Sequence, residues 1–395
     1  MSATFSTLFF LSALLFSCFA SVCLSCSSFA YDNHIRLAVD GLHGDESDDC
    51  DPTFSSLPIE AIYQFGDSIS DTGNLIREDP SCDSGKWPYG ESFSTKPTGR
   101  FSDGLLIIDY FAKFVSLPFI EPYLKKDGNF THGVNFAVGG ATALNASTLK
   151  QKYNIFATTN HTLSPQLAWF NSHLHSFYHD ISEKRRKLAK SLFMIGGVGG
   201  NDYNYAILQG IALPNVYEMV PQVVQVIRNA VEEIIELGAT HIVVPGIFPI
   251  GCAPMYLDLF KTNDSSMYDE LKCLKKYNDH ANFHNDFLQQ SIVELQMDHP
   301  HVAIVYMDYF GTLKEILRNA AVLGFDENAL EERCCGSLGK GCGTSGAPVC
   351  KNPQDHISWD GLHLTQQAYH VMARQLVRSI FLAFQNVVHD LKAFE

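Results

Sequence analysis

Two short segments, far apart in the chain, carry the residue types that nucleophilic catalysis needs. The first is Gly66-Asp67-Ser68-Ile69, which follows an apolar stretch. A serine hydroxyl is a weak nucleophile until a neighbouring base takes its proton. The second is Trp359-Asp360-Gly361-Leu362-His363, near the other end. An Asp and a His three residues apart in a tight loop can reach one site. Asp360 would accept a hydrogen bond from one imidazole nitrogen and fix the tautomer, leaving the other nitrogen of His363 to take the Ser68 proton. Two further positions could supply donors to a developing oxyanion. Gly139 has no side chain to block close approach to its backbone N–H, and Asn201, in Gly199-Gly200-Asn201-Asp202, offers a side-chain amide. With the Ser68 N–H these make an oxyanion hole, in which losing one donor typically costs about 100- to 1000-fold in rate. Singly, each segment is equally an ordinary turn or helix cap. The glycines from Gly196 to Gly200 lack the spacing of a dinucleotide loop. No serine has glycine two residues before and two after it, so the nucleophile elbow of an α/β-hydrolase is absent.

The elements that must position these residues alternate in type. Residues 59–65 read as a buried strand ending at Gly66. Residues 103–116 have apolar residues at helical spacing, with Ser102 or Asp103 as N-cap. Residues 133–138 form a short strand running into Gly139-Gly140. A helix starts at Ser164-Pro165 and carries Leu167, Phe170 and Leu174. The pattern then repeats: a strand at 191–195, an amphipathic helix over 223–237 stopped by Gly238, a strand at 241–244, a helix over 278–297, a strand at 302–306 and a last helix over 365–384 capped by Thr365. Strands alternating with helices imply a parallel sheet covered on both faces, and about five such units favour an open sheet over a closed barrel. In open sheets the ligand site lies at the carboxyl ends of the strands. Ser68, Gly139 and Asn201 all follow strands.

Taken together, the four segments resemble the GDSL esterase/lipase family, also called SGNH hydrolases. The matching blocks stand in order: Gly-Asp-Ser-Ile at 66–69, Val-Asn-Phe-Ala-Val-Gly-Gly at 134–140, Gly-Gly-Asn-Asp at 199–202 and Asp-Gly-Leu-His at 360–363. Further stretches are similar to the plant branch: Asp71-Thr-Gly-Asn-Leu75, residues 97–104, Val244-Pro-Gly-Ile-Phe-Pro-Ile-Gly-Cys252 and Asp308-Tyr309-Phe310. The resemblance implies a flavodoxin-like three-layer α/β/α sandwich with a mostly parallel five-stranded sheet. It implies Ser68, Asp360 and His363 as catalytic triad, and Ser68, Gly139 and Asn201 as oxyanion hole. It implies no metal or organic cofactor, and as substrate a small-molecule or lipid ester. An acyltransferase using the same triad, or a secreted binding protein without turnover, are the alternatives. This chain departs from the family in Ile69, which stands for the Leu of the tetrad, and in lacking a cysteine pair near residues 171–186.

Composition sets the remaining bounds. The 395 residues are 46% hydrophobic, enough for a large core, and no linker or repeat divides the chain after residue 58. A formal charge of −15 opposes a phosphate backbone, so nucleic acid is excluded as a partner. Residues 5–30 are apolar with small residues, as in a secretory signal peptide, with cleavage after Ala20 or Ala30. The expected organisation is a signal peptide at 1–30, a polar leader at 31–58 and one hydrolase domain at 59–395. No other stretch would span a bilayer. An extracellular or vacuolar destination follows. Eight cysteines remain beyond residue 30, an even set that suggests disulfides of unreadable connectivity rather than a zinc site, since paired Cys-x-x-Cys spacing is missing. Asn129, Asn145, Asn160 and Asn263 begin sequons for N-glycosylation.

Overall fold

Five parallel strands form the centre of the structure, a computed structural model that describes residues 59–94 and 96–393. They are β1 (Ala61–Phe65), β2 (Gly133–Asn135), β3 (Ser191–Ile195), β4 (His241–Pro245) and β5 (Ala303–Met307). Their order across the sheet is β2-β1-β3-β4-β5. All neighbours pair in parallel, with Gln64 opposite Asn135 on one side and Met194 on the other. This is the flavodoxin-like order, whose direction of winding reverses between β1 and β3. At that reversal the connections leave in opposite directions and open a crevice. Ser68 follows β1 and Asn201 follows β3, so both stand at it.

The helices of eight or more residues are α1 (Ile107–Phe114), α2 (Leu163–Phe177), α3 (Ile181–Ala189), α4 (Gly200–Leu208), α5 (Val220–Leu237), α6 (Lys275–Asp298), α7 (Tyr309–Arg318) and α8 (Gln366–Ala393). The strands are near-continuous apolar runs because both faces are covered. Tyr63, Phe65, Phe193, Ile195, Ile242 and Val244 join one core with residues of α2, α5 and α6. Side chains alternate along a strand, so Ile62, Leu192, Met194 and Val243, also buried, face the other layer, where α8 packs with α1, α7 and β5. The three-layer sandwich expected from the strand-helix alternation is therefore present.

Several boundaries differ from the sequence pattern, each for a local reason. The helix expected over 103–116 begins only at Ile107. Asp103 does not cap it: its carboxylate accepts the N–H of Gln366, the first residue of α8, at 2.7 Å. Instead, Asp109 reaches back to the Leu106 N–H at 2.9 Å. Helix α3 was not signalled by apolar periodicity because its sequence, Ile-Ser-Glu-Lys-Arg-Arg-Lys-Leu-Ala, is mostly charged. Asp180 caps it through the Glu183 N–H at 2.7 Å. Helix α8 runs to Ala393, beyond the expected 384. Gly238 does stop α5 in the left-handed conformation, as expected of a C-cap glycine.

The expected disulfides form as Cys252–Cys273, Cys334–Cys350 and Cys335–Cys342. Cys82 has no partner among the described residues. Cys50, the signal segment and the leader lie outside them. No helix among the described residues is long and apolar enough to cross a membrane. Asn129, Asn145, Asn160 and Asn263 are all exposed.

Candidate active site

The chain leaves β1 abruptly. Gly66 has φ +150°, and a Cβ there would lie 2.0 Å from the Gly196 carbonyl oxygen. The Gly66 carbonyl still accepts the Val138 N–H at 3.1 Å, and Gln166 of α2 adds a side-chain brace, accepting from the Gly66 N–H at 2.9 Å and donating to its carbonyl at 2.8 Å. A side-chain amide thus supplements the backbone pairing at the point where the chain must turn towards Ser68.

The next turn is held by a buried carboxylate. Asp71 accepts the N–H groups of Gly73, Asn74 and Leu75, and also that of Gly139 at 2.8 Å. Asn74 in turn donates to the carbonyls of Asn135 and Ala137, both at 2.8 Å. The block after Ser68 is therefore a clamp that ties the turn after β1 to the turn after β2. Gly139 is accordingly not a free donor: its N–H is spent on Asp71, which corrects the expectation that it faces an oxyanion. The adjacent Gly140, with φ +81°, keeps a backbone N–H with no acceptor among the described hydrogen bonds. The same holds for the Ser68 N–H.

Helix α4 brings in Asn201 near its first turn, where the N-terminal end of a helix favours negative charge. The Asn201 amide donates to Asp67 Oδ2 at 3.2 Å and to the Ala141 carbonyl at 3.0 Å. Asp202, next to it, accepts the Ala143 and Leu144 N–H groups at 2.8 and 2.9 Å. Asp71 and Asp202 thus grip the 139–144 turn at both ends. Burial pushes the Asp67 and Asp202 carboxyls up to about 7, although backbone N–H donors pull the other way.

Across the crevice, His363 Nε2 lies 2.7 Å from Ser68 Oγ, and both residues are buried. His363 Nδ1 lies 2.7 Å from Asp360 Oδ2. Asp360 also accepts the backbone N–H groups of Leu362 at 3.0 Å and His363 at 2.8 Å, and the Tyr89 hydroxyl at 2.9 Å. Burial alone would raise this carboxyl. The imidazole and the donated hydrogen bonds outweigh it and hold Asp360 down at about 2. Asp360 is therefore ionised at neutral and mildly acidic pH, and an ionised partner keeps the Nδ1 proton in place and leaves Nε2 to accept. Phe101 covers the His363 ring, centroid to centroid 4.8 Å.

The loop carrying Asp360 and His363 rests on the disulfide-bonded segment. The Cys334 N–H donates to the Ser358 carbonyl at 3.0 Å and the Cys335 N–H to the Trp359 carbonyl at 2.6 Å. Trp359 and Tyr89 pack with Cys334, Cys335 and Cys342 in a small separate core. Tyr89 was not singled out from the sequence. Nothing in its local pattern links it to a loop 271 residues away. Phe101 lies in the 97–104 block, where its neighbours do not mark it individually. That block also supplies Arg100, which makes a buried bidentate pair with Asp109 at 2.8 and 2.6 Å.

Ser68, Asp67, Asn201 and His363 line a cleft of about 830 Å³ including its open mouth. The arrangement can do one thing readily: move a proton from a hydroxyl to an imidazole while donors wait beside it.

Comparison with known proteins agrees. Residues 62–376 match the family described as GDSL-like Lipase/Acylhydrolase. Acetylajmalan esterase 2 of Rauvolfia serpentina is 42% identical over 337 residues, covering 82% of this chain and 91% of that protein. A second R. serpentina protein, acetylajmalan esterase, is 39% identical, covering 85% and 89%. A GDSL esterase/lipase of Arabidopsis thaliana is 40% identical, covering 83% and 88%. The chain belongs to the GDSL-like lipase/acylhydrolase family and is a carboxylic ester hydrolase of its plant branch.

Proposed function

We propose that the protein is a secreted serine esterase that hydrolyses carboxylic esters through an acyl-enzyme on Ser68. The observation that carries this reading is the unbroken chain of short contacts from Ser68 Oγ through His363 to Asp360. Ser68 attacks the ester carbonyl carbon as His363 Nε2 takes its proton. The tetrahedral oxyanion is met by the N–H groups of Ser68 and Gly140 and by the Asn201 amide, which gives up its long contact with Asp67. His363 returns the proton to the departing alcohol oxygen. Water then attacks the acyl carbonyl, loses its proton to His363 and releases the acid while Ser68 is reprotonated.

Export is supported by the apolar start, the three disulfides and the exposed sequon asparagines, which we assign as glycan sites. The test is Ser68→Ala, assayed on a chromogenic short-chain ester and with a serine-reactive phosphonate. Turnover is expected to fall by about 10⁴-fold or more, and labelling to vanish. A variant that keeps wild-type turnover would overturn the assignment.

A further inference from the structure

The cleft beside Ser68 is chemically two-sided. Most of its polar groups are already engaged: Ser68 with His363, Asn201 with Asp67 and Ala141, the Asn204 side-chain carbonyl with the Tyr256 hydroxyl at 2.6 Å, and Ser358 with the Gly361 N–H at 3.0 Å. The Asn204 amide N–H groups and the Tyr309 hydroxyl are the lining side-chain donors with no acceptor among the described hydrogen bonds. No Lys, Arg or Glu lines it. The rest of its wall is hydrocarbon and aromatic, with Ile247, Phe248, Ile250 and Leu313 among the contributors. A sugar placed here would find those few donors but would press most of its hydroxyls against hydrocarbon that cannot hydrogen-bond them, which is costly. An anionic group would find no counter-charge. An apolar group would lose only its contact with water.

A second cavity, of about 550 Å³, adjoins the first. Leu317, at the end of α7, and Leu330 line both, as does Cys252 of the Cys252–Cys273 disulfide. The two leucines are therefore the partition between the chambers, and each is only partly buried.

We infer that the cleft binds the apolar half of the ester, an alkyl chain or a hydrocarbon ring system, and that Leu317 and Leu330 set how large a group it holds. This rests on the esterase reading and narrows it: esters of extended polysaccharides are not substrates. Moving one methylene from water into such a wall is worth up to about fourfold in binding.

The experiment uses the full secreted protein and two series. One varies the acyl group, from p-nitrophenyl acetate to dodecanoate. The other varies the alcohol, from ethyl to decyl acetate, with 1-naphthyl acetate as the ring. Acetylated xylan is the polysaccharide arm. In at least one series kcat/KM is expected to rise tenfold or more between the smallest member and the six- to eight-carbon members. Acetylated xylan should fall at least 100-fold below the best ester. The series that rises tells whether acid or alcohol occupies the cleft. Leu317→Trp should cut the octyl-to-smallest ratio of kcat/KM at least tenfold, and Leu317→Ala should move the optimum to longer members. Flat or falling series, xylan as the best substrate, or a Trp variant that leaves the ratio unchanged would overturn the inference while leaving the esterase reading intact. Failure to turn over any ester, with no phosphonate labelling of Ser68, would sink the esterase reading and this one with it.

Discussion

The two walls of the crevice hold their functional groups by different means. On the Ser68 side, buried polar side chains brace the turns through hydrogen bonds with the backbone: Gln166 with Gly66, Asp71 accepting four N–H groups, Asp202 accepting two. On the His363 side, the loop lies against a segment cross-linked twice, at Cys334–Cys350 and Cys335–Cys342. The carboxyls follow suit. Asp67 and Asp202 are deeply buried and the Asp360 carboxylate is nearly so, yet the first two are pushed up to about 7 and the third held down at about 2. Burial is the largest influence in all three. What differs is the partner. Asp202 meets only neutral amide donors, and Asp67 feels His363 at a distance. Asp360 has the imidazole in direct contact and the Tyr89 hydroxyl besides. Burial alone therefore gives no single charge state; the partner that can itself become a cation decides it.

The largest expected effect comes from abolishing that contrast with Asp360→Asn. An amide cannot hold the Nδ1 proton as a carboxylate does, so His363 would present the wrong tautomer to Ser68. A fall in kcat of about 10⁴-fold is expected, with ground-state binding little changed. The same variant carries a stability signature. A carboxyl whose folded pKa is depressed adds stability above its unfolded pKa near 3.8, and that stability is lost as the pH falls towards about 2. Thermal melting from pH 5 to pH 2 should therefore drop less steeply in Asp360→Asn than in the wild type. Asp67 and Asp202 work the other way. Their raised pKa values mean stability that is full below about pH 4 and lost as the pH rises through about 7. An Asp360→Asn melting curve parallel to the wild type in acid would show that the depressed pKa is not a feature of the folded loop.

Next in size is the hydrogen-bonded wall. Asp71→Ala would strand four N–H groups, three of them buried and that of Leu75 partly so, each costing about 1–3 kcal/mol if water does not reach it. A loss of at least 3 kcal/mol in unfolding free energy is expected by denaturant titration. Because Gly139 would be released, the adjoining Gly140 N–H should also lose its aim, and kcat should fall even in protein that remains folded. A change within 1 kcal/mol would mean that the clamp is dispensable.

How much of this was legible beforehand follows the same division. The parallel sheet could be read because apolar strands and amphipathic helices have periods, whereas its flavodoxin-like form was legible only through the family resemblance. Ser68, Asn201, Asp360 and His363 could be placed because each directly follows a strand or precedes a helix. What escaped was long-range polar partnership. Asp103 looks like a cap for the helix beside it, and caps α8 instead. Gly139 and Gly140 are indistinguishable as letters, and only the Asp71 contact separates them. Tyr89 sits in a loop without periodicity, so its approach to Asp360 could not be anticipated. The disulfide pairing was open because proximity, not spacing, selects partners.

The smallest expected effect tests whether cross-linking positions His363 or merely stabilises the fold. The Cys334–Cys350 and Cys335–Cys342 bonds close loops with sequence separations of 16 and 7, for which chain entropy gives about 3 and about 2.5 kcal/mol. The double variant Cys334→Ser/Cys350→Ser should therefore lose about 2–3 kcal/mol of unfolding free energy. If the bond only stabilises, ester turnover measured well below the melting temperature will equal that of the wild type. If it positions the loop, kcat will fall several-fold at that temperature while KM moves less, since Ile247, Phe248, Ile250 and Leu313 of the apolar wall lie on other segments and only Ile357, Leu362 and Leu364 belong to this loop. The backbone pairing of Cys334 with Ser358 and of Cys335 with Trp359 favours the second outcome. Those two hydrogen bonds connect the cross-linked segment directly to the residues preceding Asp360. Slack in the segment would reach the imidazole through at most a few peptide units, and misplacement of a proton acceptor by about 1 Å is enough to cost rate.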